Sequence, residues 1–141
     1  MIRTLRTEDL DDAVGIWLNA SIKAHNFISQ DFWVSQHQNM RDLYLPNSES
    51  WVYEDDGRIL GFISYYEGTI PAIFVDPKSQ SKGVGTQLLE KLKDKYQNLT
   101  LTVYSENHKT HQFYIRQGFT DVGKCICEHT GHEQHEMRWV R

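Results

Sequence analysis

Ile70-Pro71-Ala72-Ile73-Phe74-Val75-Asp76-Pro77-Lys78-Ser79-Gln80-Ser81-Lys82-Gly83-Val84-Gly85-Thr86-Gln87-Leu88-Leu89 is the stretch on which the fold turns. Its first six residues form an apolar run that reads as a strand, with Pro71 near the start, where a ladder donor can be spared. Val84, Leu88, Leu89, Leu92 and Tyr96 recur at three- and four-residue steps and predict an amphipathic helix over about 83–96. A polar turn, Asp76 to Lys82, joins the two. The start of a helix offers unpaired N–H groups and the positive end of its dipole. Gly83 and Gly85 let the backbone come close to a bulky group with no Cβ in the way, and Lys82 adds charge at the rim. These are the requirements of a phosphate cradle. The run is not GxxxxGK[ST], and Leu88 stands where a dinucleotide fingerprint needs its third glycine.

The flanks predict a β-α-α-β-β-β-α-β-α-β-β order. Residues 2–6 read as a strand and 8–22 as a helix with Thr7 as N-cap and Leu10, Val14, Trp17 and Leu18 on one face. After a loop over 23–29, a helix over 30–44 is capped by Ser29, with Ile28 and Trp33 as a hydrophobic staple. Trp33, His37, Met40 and Tyr44 form its stripe, and Pro46 and Asn47 end it. Trp51–Tyr53 and Ile59–Tyr66 flank the hairpin turn Asp56-Gly57. Leu99–Tyr104 is a strand, 107–117 a helix ending at Gly118, and 119–128 with 134–140 a closing pair. The strand–helix–strand unit from 70 to 104 predicts a right-handed parallel crossover. The fold class is α/β, a mixed sheet with helices on it.

At 141 residues the chain has the length of one domain, 1–141, able to bury a real core. Fifteen Lys and Arg against 19 Asp and Glu give a formal charge of −4. That balance argues against a nucleic-acid partner and favours a cationic substrate met by an acidic acceptor face. No run approaches the roughly 18 apolar residues of a membrane span, so no membrane partner is expected. Cys125 and Cys127 form no disulfide framework, which with the absence of a signal core predicts a cytoplasmic protein.

Two segments together resemble the GNAT N-acetyltransferase family, small single-domain bacterial type. Ile73 to Leu89 looks like its motif A, a V-x-P strand exit followed by Q/R-x-x-G-x-G/A and a helix. About 30 residues on, Val103-Tyr104-Ser105-Glu106-Asn107 and Phe113-Tyr114-Ile115-Arg116-Gln117-Gly118-Phe119 resemble its second signature. The resemblance implies an acyl-CoA N-acyltransferase fold, a central mixed sheet of about seven strands flanked by four helices. It implies acetyl-CoA as cosubstrate, no metal, and direct transfer of acetyl to a primary amine, a protein lysine or N-terminal amine. A small amine (polyamine, aminoglycoside or amino-acid-like) and a non-catalytic acyl-CoA-binding module are the alternatives. Monomer and homodimer both fit.

By resemblance, backbone groups of Phe74 and Val75 pair with the pantetheine arm, and one of their N–H groups stabilises the developing oxyanion. Gln80, Ser81, Lys82, Gly83, Val84, Gly85 and Thr86 hold the pyrophosphate. Asn107 matches the family asparagine on the pantetheine chain. Tyr114 matches the tyrosine near the sulfur and would act as general acid toward the leaving thiolate. Lys78, Lys82, Lys91 and Arg116 are candidate counter-charges. Many relatives carry a glutamate on the motif-A strand as a proton relay, and this strand has no acid. Glu67, or water alone, is left to deprotonate the amine. The connection between the first two helices lines the acceptor side in this family, making His25 and Phe27 candidate substrate contacts. In the alternating pair Tyr65-Tyr66 one ring belongs to the core and the other, assigned to Tyr66, to the cleft. His129, His132 and His135 beside the cysteines invite a zinc reading, but their spacing matches no finger and they read as a polar loop at the acceptor mouth.

Overall fold

The computed structural model describes residues 1–141. Seven strands form one mixed sheet in the order β1-β2-β3-β4-β5-β7-β6. They are β1 (Ile2–Thr4), β2 (Glu49–Asp55), β3 (Arg58–Tyr66), β4 (Thr69–Val75), β5 (Asn98–Tyr104), β6 (Thr120–Ile126) and β7 (Glu133–Val140). Four α-helices accompany them, α1 (Leu10–Ala24), α2 (Gln30–Asn39), α3 (Val84–Lys95) and α4 (His108–Arg116). The element order and the fold class follow the reading of the sequence. No helix is long and apolar enough to cross a membrane.

Strand alternation sends neighbouring residues to opposite faces and so builds two cores. Val52, Phe62, Ala72 and Tyr104 pack under α1 and α2 with Val14, Trp17, Trp33 and Met40. Trp51, Ile63, Leu101 and Met137 pack under α3 and α4 with Leu88, Leu92 and Tyr114. Ser29 caps α2 as expected, accepting from the Asp31 N–H at 3.2 Å. Its staple partners Ile28 and Trp33 are both buried.

Local departures have physical causes. Thr7 opens a 3₁₀ turn rather than capping α1. The Asp9 carboxylate closes that turn, accepting from the Arg6 N–H at 2.7 Å, and α1 has no side-chain cap. The Arg3 guanidinium holds that buried carboxylate at 2.7 and 3.0 Å and pushes its pKa below the usual range. The second helix widens over Met40–Tyr44 into a π-turn, closed by Leu45 N–H to the Met40 carbonyl at 3.0 Å. The extra residue in that turn buries both Met40 and Leu45 and rotates Tyr44, expected on the stripe, out to solvent.

The β4–β5 joint positions everything that follows. The two strands are parallel but share one register pair, Thr69↔Thr100. The Thr100 N–H reaches the Gly68 carbonyl at 3.0 Å, and the two threonine hydroxyls lie 3.0 Å apart. Beyond this point β4 stays with β3 as far as Gly61↔Val75, while β5 stays with β7 as far as Tyr104↔Gln134. The sheet therefore opens toward the C-terminal ends of both strands.

Candidate active site

A cleft of about 850 Å³ fills the opening and passes through the sheet. On the α3/α4 side its walls include Val84, Gly85, Phe113, Tyr114 and Gln117; on the α1/α2 side they include Trp17, Ala20, His25, Trp33 and Met40. The edge of β4 from Ile70 to Val75 runs along it with no strand partner. Of the residues singled out in the sequence, Phe74, Val75, Gln80, Ser81, Gly83, Val84, Gly85, Thr86, Asn107, Tyr114 and His25 line this one space.

The turn from β4 into α3 is shaped by backbone conformation. Asp76 accepts from the Lys78 N–H at 3.0 Å, and the Gln80 side-chain amide donates back to the Val75 carbonyl at 3.2 Å. Ser81 and Gly83 then adopt left-handed φ of 67° and 82°. A serine there is unusual and carries strain of order 1–3 kcal/mol, whereas glycine tolerates it. A Cβ on Gly85 would stand 3.3 Å from Phe113, so this glycine lets α3 and α4 close on each other. Gln117 ties the same two helices by donating to the Thr86 hydroxyl at 3.1 Å. Lys82 is exposed and does not line the cleft.

Asn107 occupies the N-cap position of α4, yet its side chain makes no capping bond. Its buried amide faces the cleft instead. Tyr114 is buried with no partner on its hydroxyl, and burial pushes that phenol's pKa far up. It stays protonated at every physiological pH, the form a proton donor needs.

The other end of the cleft is aromatic. The His25 ring lies 5.3 Å from Trp33, 5.0 Å from Tyr104 and 5.9 Å from Phe27. Phe27 stands behind, edge-on to Tyr104 at 5.6 Å and 5.2 Å from His132. The Tyr104 hydroxyl meets the Cys127 thiol at 3.4 Å, which ties the β6–β7 loop to the chamber. Burial holds His25 neutral, its pKa pushed down to about 4. Three buried polar atoms here have no protein partner: Ser21 Oγ, His25 Nδ1 and Trp33 Nε1. Each unpartnered buried polar atom costs about 1–3 kcal/mol, and of the three residues His25 and Trp33 belong to the cleft wall.

Several expectations need correction. Glu67 sits in the β3–β4 turn at φ 48°, exposed, and does not line the cleft. Phe27 supports His25 from behind and does not line the cleft. Tyr66 is exposed and lines an adjoining apolar pocket with Leu43 and Tyr44. That pocket meets the cleft at Met40, Pro71 and Ala72. No carboxylate lines the cleft; its charged residues are Lys23, Lys109 and Arg116, so the expected acidic acceptor face is missing. Of the foreseen counter-charges, Lys78, Lys82 and Lys91 lie outside it. His132 turns to Glu106 at 2.6 Å, and His135 stacks on His111 at 4.2 Å beside Asp121, so the suspected histidine trio does not converge. His111, Asp121 and His135 instead form a cluster of their own, with one potential ligand atom from each within 4.8 Å of the others, away from the cleft.

Comparison with known proteins matches residues 13–141 to the acetyltransferase (GNAT) domain. Peptidyl-lysine N-acetyltransferase YiaC of Escherichia coli is 37% identical over 120 residues, 84% of this chain and 82% of that protein. The solution structure of apo YjaB from E. coli superposes with TM-score 0.88 at 25% identity, covering 99% of this chain and 97% of that one. PaiA N-acetyltransferase of Thermoplasma acidophilum, solved with coenzyme A, shares the fold with TM-score 0.81 at 18% identity, covering 100% and 98% of the two chains.

Proposed function

The chain belongs to the GNAT N-acetyltransferase family, and on that premise we propose that it transfers acetyl from acetyl-CoA to the ε-amine of protein lysines. The observation that carries the reading is a cleft that crosses the sheet, with a phosphate-type cradle at one mouth and an aromatic chamber without a carboxylate at the other. The two partners of a direct transfer can then meet inside the sheet from opposite faces. Lysine as acceptor is supported by the peptidyl-lysine acetyltransferase at 37% identity.

The residues present fit the cosubstrate. The turn Gln80–Thr86, Lys82 apart, lines the cleft and leads into the N-terminus of α3, and Arg116 and Lys109 supply positive charge nearby. The free edge of β4 at Phe74 and Val75 offers backbone groups to an extended amide chain, as a sheet edge does to a peptide. The Asn107 amide, without a capping bond, is available to the same chain. Acetyl-CoA supplies an acyl group on a good leaving thiolate. A fixed N–H on β4 stabilises charge growing on the carbonyl oxygen. The Tyr114 phenol gives its proton to the departing sulfur.

A thiol-release assay over lysine peptides, N-terminal peptides and small amines, read out by mass spectrometry, tests the proposal. Acetyl on a lysine ε-amine is the expected product. Release with small amines alone would move the acceptor to that class. Tight acetyl-CoA binding without release under any acceptor would make the chain a binding module.

A further inference from the structure

We propose that His25 is a catalytic base, accepting through its imidazole the proton that the acceptor nitrogen sheds as the new amide forms. The inference rests on the cleft being a site of amine acetylation, and it does not depend on which amine. His25 follows α1, its N–H closing the helix on the Ser21 carbonyl at 2.9 Å, so the ring is delivered from a rigid element. The side chain is 8% exposed and forms part of the cleft wall. Its Nδ1 is sealed without a partner, so the nitrogen that takes the proton is Nε2, which has no protein partner and is not sealed. Packing against Trp33, Tyr104 and Phe27 fixes the plane of the ring.

Elimination leads to the same residue. No aspartate or glutamate lines the cleft, its lysines and arginine are hydrogen-bond donors without an acceptor, and burial keeps both Tyr104 and Tyr114 protonated. His25 alone among the lining residues combines a titratable group with a free lone pair at pH 7. The titratable groups facing it are few. Lys23 comes from α1 and Tyr104 from β5. Past Phe27 the β6–β7 loop brings Cys127 and His132, the latter bonded to Glu106. The helix α2 presents Trp33, which does not titrate.

A base this weak cannot strip an alkylammonium of pKa about 10.4. The first proton is therefore lost to water before entry, and an apolar chamber with no carboxylate favours the neutral amine over the cation. The second proton is a different matter. As the nitrogen–carbon bond forms and the carbon–sulfur bond breaks, the nitrogen turns from amine into amide, and its extra proton becomes far more acidic. A weak, neutral base suffices at that stage. The carbon–sulfur electron pair leaves with sulfur, which takes a proton from Tyr114. The proton on His25 returns through solvent to the phenolate. The sum is amine plus thioester giving amide plus thiol.

The test uses whichever primary amine the wild-type protein acetylates. His25→Gln keeps the bulk of the side chain and removes the base; His25→Ala leaves room for an added azole. Expected is a fall in kcat of about 100-fold in both, with acetyl-CoA affinity within about twofold, as binding to an intact cradle requires. Imidazole should restore His25→Ala in proportion to its concentration and leave His25→Gln unchanged, a response that a purely structural role does not produce. Near-wild-type kcat in His25→Gln, or no rescue of His25→Ala by any azole, overturns the assignment. Wild-type turnover on small amines but on no lysine peptide overturns the lysine reading alone, since the same two variants are then read on the small amine.

Discussion

The two mouths of the cleft are built from different materials. The cradle is backbone: seven consecutive residues, 80–86, with two left-handed φ angles and a helix start. The chamber is side chains: Trp17, His25, Trp33 and Tyr104 arrive from α1, the residue after it, α2 and β5. A backbone device is written in contiguous residues and tolerates almost any side chain that keeps its dihedrals. A side-chain device is written in scattered residues and tolerates almost any backbone that brings them together. One end is thus suited to a constant ligand and the other to a variable one.

Damage to the cradle should have the largest effect. Gly83→Glu places a side chain and a negative charge at φ 82° beside the phosphate position, and acetyl-CoA affinity is expected to drop at least about 100-fold by calorimetric titration. Retained binding would break the division between the two ends. Tyr114→Phe, at the junction, is expected to lower kcat about 10²-fold while leaving acetyl-CoA affinity unchanged; unaltered kcat would remove the phenol from the chemistry. Phe27→Ala touches only the chamber's outer support. It should raise the acceptor KM several-fold with kcat and cofactor affinity nearly constant, and a matching loss of cofactor affinity would show that the ends are coupled.

The smallest effect is on stability. His25 has a folded pKa near 4, below its unfolded value of about 6.5. Between those values the unfolded chain binds more protons, so stability should fall as pH drops through that window. Asp9, whose pKa is held low by Arg3, gives up its contribution only below the ordinary carboxylate range, so the two effects separate. Urea midpoints at pH 7 and pH 5 should differ less in His25→Gln than in wild type; an equal difference would show that His25 is not the group responsible.

The same contrast explains what could be read in the chain alone. The strand, the turn with Gly83 and Gly85, and the stripe of α3 sit side by side in sequence, so the cradle and the crossover were legible. Asn107 and Tyr114 stand out because they lie in a second short signature, and both line the cleft. Trp17 and Tyr104 were not foreseen in the chamber, since their approach depends on how α1 and β5 meet across the sheet. Trp33 was visible only as the staple of α2, and nothing in its helical spacing tells of the unpartnered indole N–H. Glu67 lies next to β4 in sequence yet does not line the cleft, because nearness along the chain does not fix where a tight turn points a side chain.

The single register pair between β4 and β5 also divides the molecule along its covalent chain. Strands β1 to β4 come from residues 2–75 and strands β5 to β7 from residues 98–140, each set a complete antiparallel unit. The opening is thus a seam between an N-terminal and a C-terminal half. A scission between Lys95 and Asn98 would leave every other strand pairing inside one fragment or the other. What makes the halves one body is side-chain packing across the seam, and a ligand seated there acts as the mortar between them.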